Sequence, residues 1–241
     1  MFDETWFDEF FSEGLITDVL IQLKSGKEAT VYVCRAAEST GAELLAVKAF
    51  HPRQGRGFQN RAAYQRGRVL GDARTRRAVL TKTRFGRQAG EAMWVGHEFE
   101  MLRRLSDAGA DVPRPLAVSE SAILMEYVGD EEGPAPQLQE IRLEREEAGR
   151  LLDRLLGNVE RFLANNVIHA DLSPYNVMIR EGRAVIIDFP QAIDPRTNAN
   201  ARDLLARDVD RLCRHFERFG VRTDPMRVSA DLWRRFLFAE L

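Results

Sequence analysis

The chain has 241 residues, of which 44% are hydrophobic and 30% charged. That is enough to bury one large core or two smaller ones, and no apolar run approaches the ~18 residues that would cross a bilayer. The acidic, aromatic start MFDETWFDEFFSEG lacks the basic opening and apolar core of a secretory leader. Two widely separated cysteines, Cys34 and Cys213, have no metal-like spacing, so buried thiols in a reducing cytoplasm are the expectation. Net charge is only −2, yet residues 51–90 carry eleven Lys and Arg against one acid, Asp72, which leaves this stretch at +10 and the rest at −12. Such a block attracts anions: phosphate, RNA or an acidic protein surface. A solvated loop without a partner explains it equally well.

In chain order, Phe2, Trp6 and Phe10, with Phe7 and Phe11, repeat at helical spacing, which predicts an amphipathic helix over 2–12 within an N-terminal segment 1–18. The β-branched runs Val19–Leu23 and Thr30–Ala36, with Gly26 between them, predict a hairpin. A third strand follows over 44–50, after the turn residues Ser39, Thr40 and Gly41. Residues 51–90 show little periodicity and read as a flexible basic loop. Trp94, Phe99, Met101, Leu102 and Leu105 fit one helix that ends near Gly109. Pro113 and Pro115 then break the chain before a strand over 122–128. The polar stretch Gly129–Gln137 is the expected boundary between lobes. Beyond it come a long helix over 143–165, short buried strands at 167–168 and 184–187 around a polar loop, and helices near 200–219 and 229–240. Strands thus dominate the first half and helices the second. The expected fold is α+β and two-lobed, with lobes over 19–128 and 129–241 and a cleft between them.

The polar loop carries the strongest chemical signal. Ile168-His169-Ala170-Asp171-Leu172-Ser173-Pro174-Tyr175-Asn176 is followed, twelve residues after Asn176, by Asp188 at the end of an apolar run. This is H-x-D-x-x-x-x-N with an Asp at a strand end, the protein-kinase catalytic-loop pattern. A loop between two strands can turn one carboxylate toward an attacking hydroxyl, while an amide five residues on reaches a cation on the triphosphate. Asp171 would orient the nucleophile and accept its proton, and Asn176 and Asp188 would hold Mg²⁺. A polar loop whose Asp and Asn only cap turns is the plainer alternative, but it does not explain the whole string with its flanks.

Lys48, in an otherwise apolar strand, matches the kinase lysine that neutralises the α- and β-phosphates and pairs with a helix glutamate. Glu98 and Glu100 are the candidates for that partner, with Glu98 preferred because it flanks the buried face nearest Trp94. In the segment Lys24-Ser25-Gly26-Lys27-Glu28-Ala29-Thr30 one glycine stands where protein kinases have G-x-G-x-x-G. Backbone amides at Gly26 would approach phosphate there, with Ser25 and Lys27 as side-chain donors. The backbone of Glu126 and Val128, just before the linker, would pair with adenine. Asp208 is either a hydrogen-bond partner of the catalytic-loop backbone or an ordinary helix acid.

With these residues in hand, the chain resembles the RIO family of atypical serine/threonine protein kinases. Four segments carry the likeness: Ser25-Gly26-Lys27-Glu28-Ala29-Thr30-Val31-Tyr32, Gly133-Pro134-Ala135-Pro136-Gln137-Leu138, the catalytic loop, and Ile187-Asp188-Phe189-Pro190-Gln191. The Pro-Ala-Pro segment is similar to the first RIO branch and the Asp-Phe-Pro-Gln segment to the second. The whole is closest to a minimal, first-branch-like member, such as a bacterial one. The resemblance implies a truncated kinase fold, ATP with Mg²⁺ or Mn²⁺ as cofactors, and an ion pair between Lys48 and Glu98. It also implies Asp171 as catalytic acid/base, Asn176 and Asp188 as metal ligands, and Ser25 and Lys27 facing the phosphates. Two other readings stay open. One is an ATPase switch acting on a ribosomal or RNA partner through the basic stretch. The other is a small-molecule phosphotransferase like the aminoglycoside and choline kinases, against which the short tail and the Ser-Gly-Lys-Glu-Ala hairpin argue.

Overall fold

A computed structural model describes residues 4–51 and 84–241, with side chains from 5 to 51 and from 94 onward. The chain divides into two compact units, Met1–Glu100 with Arg114–Pro134, and Met101–Pro113 with Ala135–Leu241.

The first unit is built on an antiparallel five-stranded sheet in the order β1-β2-β3-β5-β4, comprising β1 (Ile16–Ser25), β2 (Ala29–Ala36), β3 (Leu44–Phe50), β4 (Pro115–Val118) and β5 (Ala122–Glu126). The central strand β3 is buried on both faces, hence its near-continuous apolar sequence. Successive side chains leave a strand on opposite sides. Leu45, Val47 and Ala49 therefore enter a core with Phe7, Phe10, Ile16, Tyr32, Cys34, Ala122 and Leu124. Lys48 takes the other face beside Phe50, its ammonium 5.4 Å from the ring centroid. That face is met by α2 (Arg84–Asp107), whose Trp94 stands edge-on to Phe50 at 4.8 Å.

Several elements depart from expectation. The N-terminal helix is a 3₁₀ turn, Glu4–Trp6, followed by the short α1 (Asp8–Ser12). Phe7 and Phe10 are nonetheless buried as its spacing predicts, while Phe11 stays exposed. Helix α2 begins at Arg84, so the end of the expected basic loop is helical; residues 52–83 lie outside the described part of the chain. Pro115 does not break the chain but opens β4, which lies at the sheet edge, where a missing N–H costs no ladder bond. Gly109 does adopt the left-handed conformation, φ 71°, just past the end of α2.

The second unit packs α3 (Arg145–Ala164), α4 (Ala201–Glu217) and α5 (Pro225–Leu237) with the hairpin of β6 (Val177–Arg180) and β7 (Arg183–Ile186). Leu151, Leu152, Leu155, Val159, Phe162 and Leu163 of α3 and Leu205, Val209, Leu212 and Phe216 of α4 are buried at helical spacing. Helix α5 starts at Pro225, earlier than expected, because Asp224 caps it by accepting the N–H groups of Met226 and Arg227. The expected strand at 167–168 is only a bridge between Ile168 and Ile193, and β6 was not anticipated. Both cysteines are free and buried, as expected, and burial pushes the thiols up to about 12 for Cys34 and about 11 for Cys213.

Candidate active site

In the first unit, Lys48 Nζ donates to Glu98 Oε1 at 2.7 Å, both groups being buried. Val95, Glu98, Met101, Leu102 and Leu105 form the buried stripe of α2, so Glu98 sits within that stripe. Phe99 is only half-buried and Glu100 is exposed. A buried pair like this gains little net stability when intact, but breaking it strands a charge in an apolar setting.

The turn between β1 and β2 differs from its reading as a backbone phosphate loop. The Gly26 N–H donates to Ala29 O at 2.9 Å, so that amide is already used in closing the turn. A Cβ built on Gly26 would meet only ordinary contact, 3.5 Å from Ala29 O, so the turn does not demand glycine. Ser25 and Lys27 are both exposed. At the end of β5, the Glu126 N–H donates to Arg114 O at 2.8 Å, so that amide is already engaged within the sheet. Val128 is buried.

In the second unit the loop 169–176 is fixed from several sides. The His169 ring accepts the Asp171 N–H at Nδ1, 3.3 Å, and so presents Nε2–H to Ile187 O at 3.1 Å. Burial holds its pKa below the usual histidine value, against the pull of the Ile187 carbonyl and of Asp188 and Asp171, which keeps the ring neutral. Ala170 lies in the left-handed region, φ 63°, where an L side chain costs about 1–2 kcal/mol. Asp208 on α4 holds that conformation. Its two oxygens accept the N–H groups of Ala170 at 2.7 Å and Leu172 at 3.1 Å, on either side of Asp171. Arg207 donates to Ala170 O, and Leu172 anchors the loop in the core. Burial pushes the Asp208 carboxyl up to about 7, although both N–H groups, Arg207 and Arg211 all favour its charged form. Of the two readings of Asp208, the structure shows the loop-holding one.

The Asp171 carboxylate is exposed and paired with Arg211 Nη1 at 2.7 Å. Asn176, which closes a 3₁₀ turn over Pro174–Asn176, donates from Nδ2 to Asp171 O at 3.0 Å, leaving its amide oxygen as an acceptor. The Asn176 carbonyl accepts the Ile187 N–H at 2.9 Å, which places Asn176 and Asp188 at the same end of the β6–β7 hairpin. Asp188 itself is exposed with φ 71°. These are oxygen donors suited to a hard cation such as Mg²⁺, which keeps water and phosphate oxygens in its other positions and needs only one or two protein ligands. Among the described residues no cluster of three His, Cys, Asp or Glu offers a complete metal cage.

Three contributors escape sequence reasoning. Arg207 and Arg211 lie one position before and three after Asp208, and all three side chains reach the loop. The i, i+3 and i, i+4 spacing on one helix is the signal that could have found them. Asp111 has no such signal. Its carbonyl accepts the Ile186 N–H at 2.8 Å, and its carboxylate takes two bonds from Arg154, both 2.7 Å, and one from Asn158 at 2.6 Å. This ties the turn after α2 to α3 and to β7. Burial alone would raise the Asp111 carboxyl, but the Arg154 and Asn158 bonds hold it below its ordinary value.

The first unit's sheet and paired helix, with the second unit's helices and loop, make the fold protein-kinase-like. It aligns with the solved Rio2 kinase–ADP/Mg²⁺–phosphoaspartate complex from Chaetomium thermophilum at a TM-score of 0.67 and 20% identity, over 95% of this chain and 65% of that one. The model of the RIO domain matches residues 30–228, and the chain belongs to the RIO family. It is 30% identical over 149 residues to the RIO-type serine/threonine-protein kinase Rio1 of Thermoplasma acidophilum, covering 62% of this chain and 77% of that protein. It is 28% identical over 222 residues to the serine/threonine-protein kinase RIO1 of Chaetomium thermophilum, covering 88% of this chain but 42% of that protein. The chain therefore spans less than half the length of the Chaetomium RIO1 and 44% of the Haloferax volcanii Rio1.

Proposed function

We propose that this chain is an ATP- and Mg²⁺-dependent phosphotransferase, a RIO-type serine/threonine protein kinase that passes the γ-phosphoryl group of ATP to a protein hydroxyl or to itself. The observation that carries the reading is the Asp171 loop, with an exposed carboxylate flanked by two N–H groups held by one buried aspartate. Asp171 orients the acceptor hydroxyl and takes its proton as the phosphoryl group leaves ATP. Asn176 and Asp188 hold the metal, which neutralises charge on the phosphates when bound; Mn²⁺, with the same taste for oxygen ligands, would substitute. Lys48, kept in place by Glu98, neutralises the α- and β-phosphates. Ser25 and Lys27 face the phosphates, and the adenine pairs with the backbone of Glu126 and Val128. Family membership supports a protein acceptor over an aminoglycoside- or choline-like one.

A second reading has its own support. Only residues 189–200 separate Asp188 from α4, a short segment for gripping a peptide. Water would then be the acceptor, and the chain would work as an ATPase switch on an RNA or ribosomal partner recruited by the basic stretch 51–90. Binding through that stretch would weaken steeply with salt and on neutralising Arg74, Arg76 and Arg77. Free, buried cysteines support a cytoplasmic setting, and among the described residues no helix is long and apolar enough to cross a membrane. The deciding experiment supplies γ-labelled ATP and Mg²⁺ with and without a generic protein acceptor. Label on the acceptor or on the chain itself supports the kinase, and labelled phosphate in water supports the switch. Intact ATP in every arm overturns both.

A further inference from the structure

A chain of polar side chains runs from the turn at Ser25 to His51, the first residue of the basic stretch. Ser25 Oγ lies 3.1 Å from Thr30 Oγ1, and Thr30 Oγ1 lies 2.7 Å from His51 Nε2. Thr30 is 3% exposed, so water does not complete its hydrogen bonding. The imidazole is held at both its backbone and its ring. His51 N–H donates to Glu28 O at 2.9 Å, and the ring stacks on Trp6 with centroids 6.1 Å apart and planes 25° apart.

Hydroxyl counting restricts how protons are arranged here. Thr30 has one O–H to give, so of its two neighbours Ser25 and His51 only one can receive that proton, and the other must donate to Thr30. The donor to Thr30 is either His51 or Ser25. If Nε2–H of His51 donates, the Thr30 proton goes to Ser25, and the Ser25 proton is turned outward. If Nε2 instead accepts, Ser25 must give its proton inward and shows only lone pairs outside, which repel an anion.

We propose that His51 is a positioning residue for nucleotide binding: through Thr30 it sets the direction of the Ser25 hydroxyl so that Ser25 donates to a phosphate of the nucleotide. The inference rests on the reading of Ser25 as a phosphate contact and adds what aims it. His51 touches no substrate. It acts by polarising a buried hydroxyl that in turn fixes an exposed one.

Affinities of the intact chain for Mg·ATP and for adenosine, measured by calorimetry, test this. Thr30→Val removes the relaying hydroxyl while keeping a β-branched strand residue, and His51→Phe removes the donor while keeping a ring against Trp6. Each is expected to weaken Mg·ATP about five-fold, as for one lost hydrogen bond, and to leave adenosine affinity unchanged. In a Ser25→Ala background neither change is expected to cost anything further. Unchanged or tighter Mg·ATP binding, an equal loss for adenosine, or the same loss without Ser25 would each overturn the relay while leaving the nucleotide site standing. Failure of the unaltered chain to bind Mg·ATP at all would instead overturn the nucleotide reading, and the relay with it.

Discussion

Lys48 and Glu98 meet at 2.7 Å with 10% and 2% of their side chains exposed, whereas Asp171 and Arg211 meet at the same distance with 53% and 38% exposed. Equal geometry hides unequal physics. In the first pair water is excluded, and each charge depends on the other. In the second, water screens both partners, and the pair contributes at most about 1 kcal/mol. Asp171 owes its position to backbone bonds made by its neighbours, above all those to Asp208, and its own side chain stays accessible for chemistry. One charge is held by burial, the other by a braced loop.

That contrast predicts separable effects. The largest falls on activity alone. Asp171→Asn should lower phosphate turnover by at least about 100-fold and leave thermal stability nearly unchanged, as seen by steady-state kinetics beside a melting curve. Glu98→Gln should cost both, removing roughly 3–5 kcal/mol of stability as well as turnover, since the buried Lys48 loses the carboxylate it meets at 2.7 Å. Pairing it with Lys48→Met should recover most of the stability and none of the turnover; recovery of both would show the pair to be structural only.

Asp208 gives an intermediate effect with a definite sign in pH. Below the ordinary aspartate range near pH ~3.9 the group is neutral whether folded or not, and it is silent. From there to about 7 the folded chain keeps a proton that the unfolded chain has released, so this group's contribution to stability declines as pH rises. Above about 7 the cost of its buried charge is fully present. The charged form is the one that accepts both N–H groups around Asp171, so turnover should rise with pH through the interval in which stability declines. Asp208→Asn should flatten both profiles, and parallel rather than opposed profiles would break the assignment. Smallest of all, Gly26→Ala should change stability by less than about 0.5 kcal/mol, because its turn needs neither a positive φ nor extra room.

The sequence revealed features whose signal is local. β3 is a run of apolar residues interrupted by one lysine, and the loop string carries its own spacing. The apolar spacing of α2 separates buried Glu98 from exposed Glu100, although Phe99, half-buried, is a poor marker of the stripe. Features that arise from tertiary contact were less legible. β4 begins with a proline that only an edge position tolerates. Gly26 stands where a phosphate-loop glycine would, yet its N–H closes the turn onto Ala29 O. Asp111 announces itself by no pattern, since its partners Arg154, Asn158 and Ile186 come from elements far along the chain. The position of Arg211 has meaning only because Asp208, one turn earlier on α4, faces the loop.

The most direct test of the proposed centre compares Asp171→Asn with Asp188→Asn in turnover and in nucleotide binding with and without Mg²⁺. Loss of turnover in both is expected, with the Mg²⁺-dependent part of nucleotide binding lost only in Asp188→Asn. Full turnover in either folded variant, or Mg²⁺-dependent binding that survives in Asp188→Asn, would contradict the roles assigned to these aspartates.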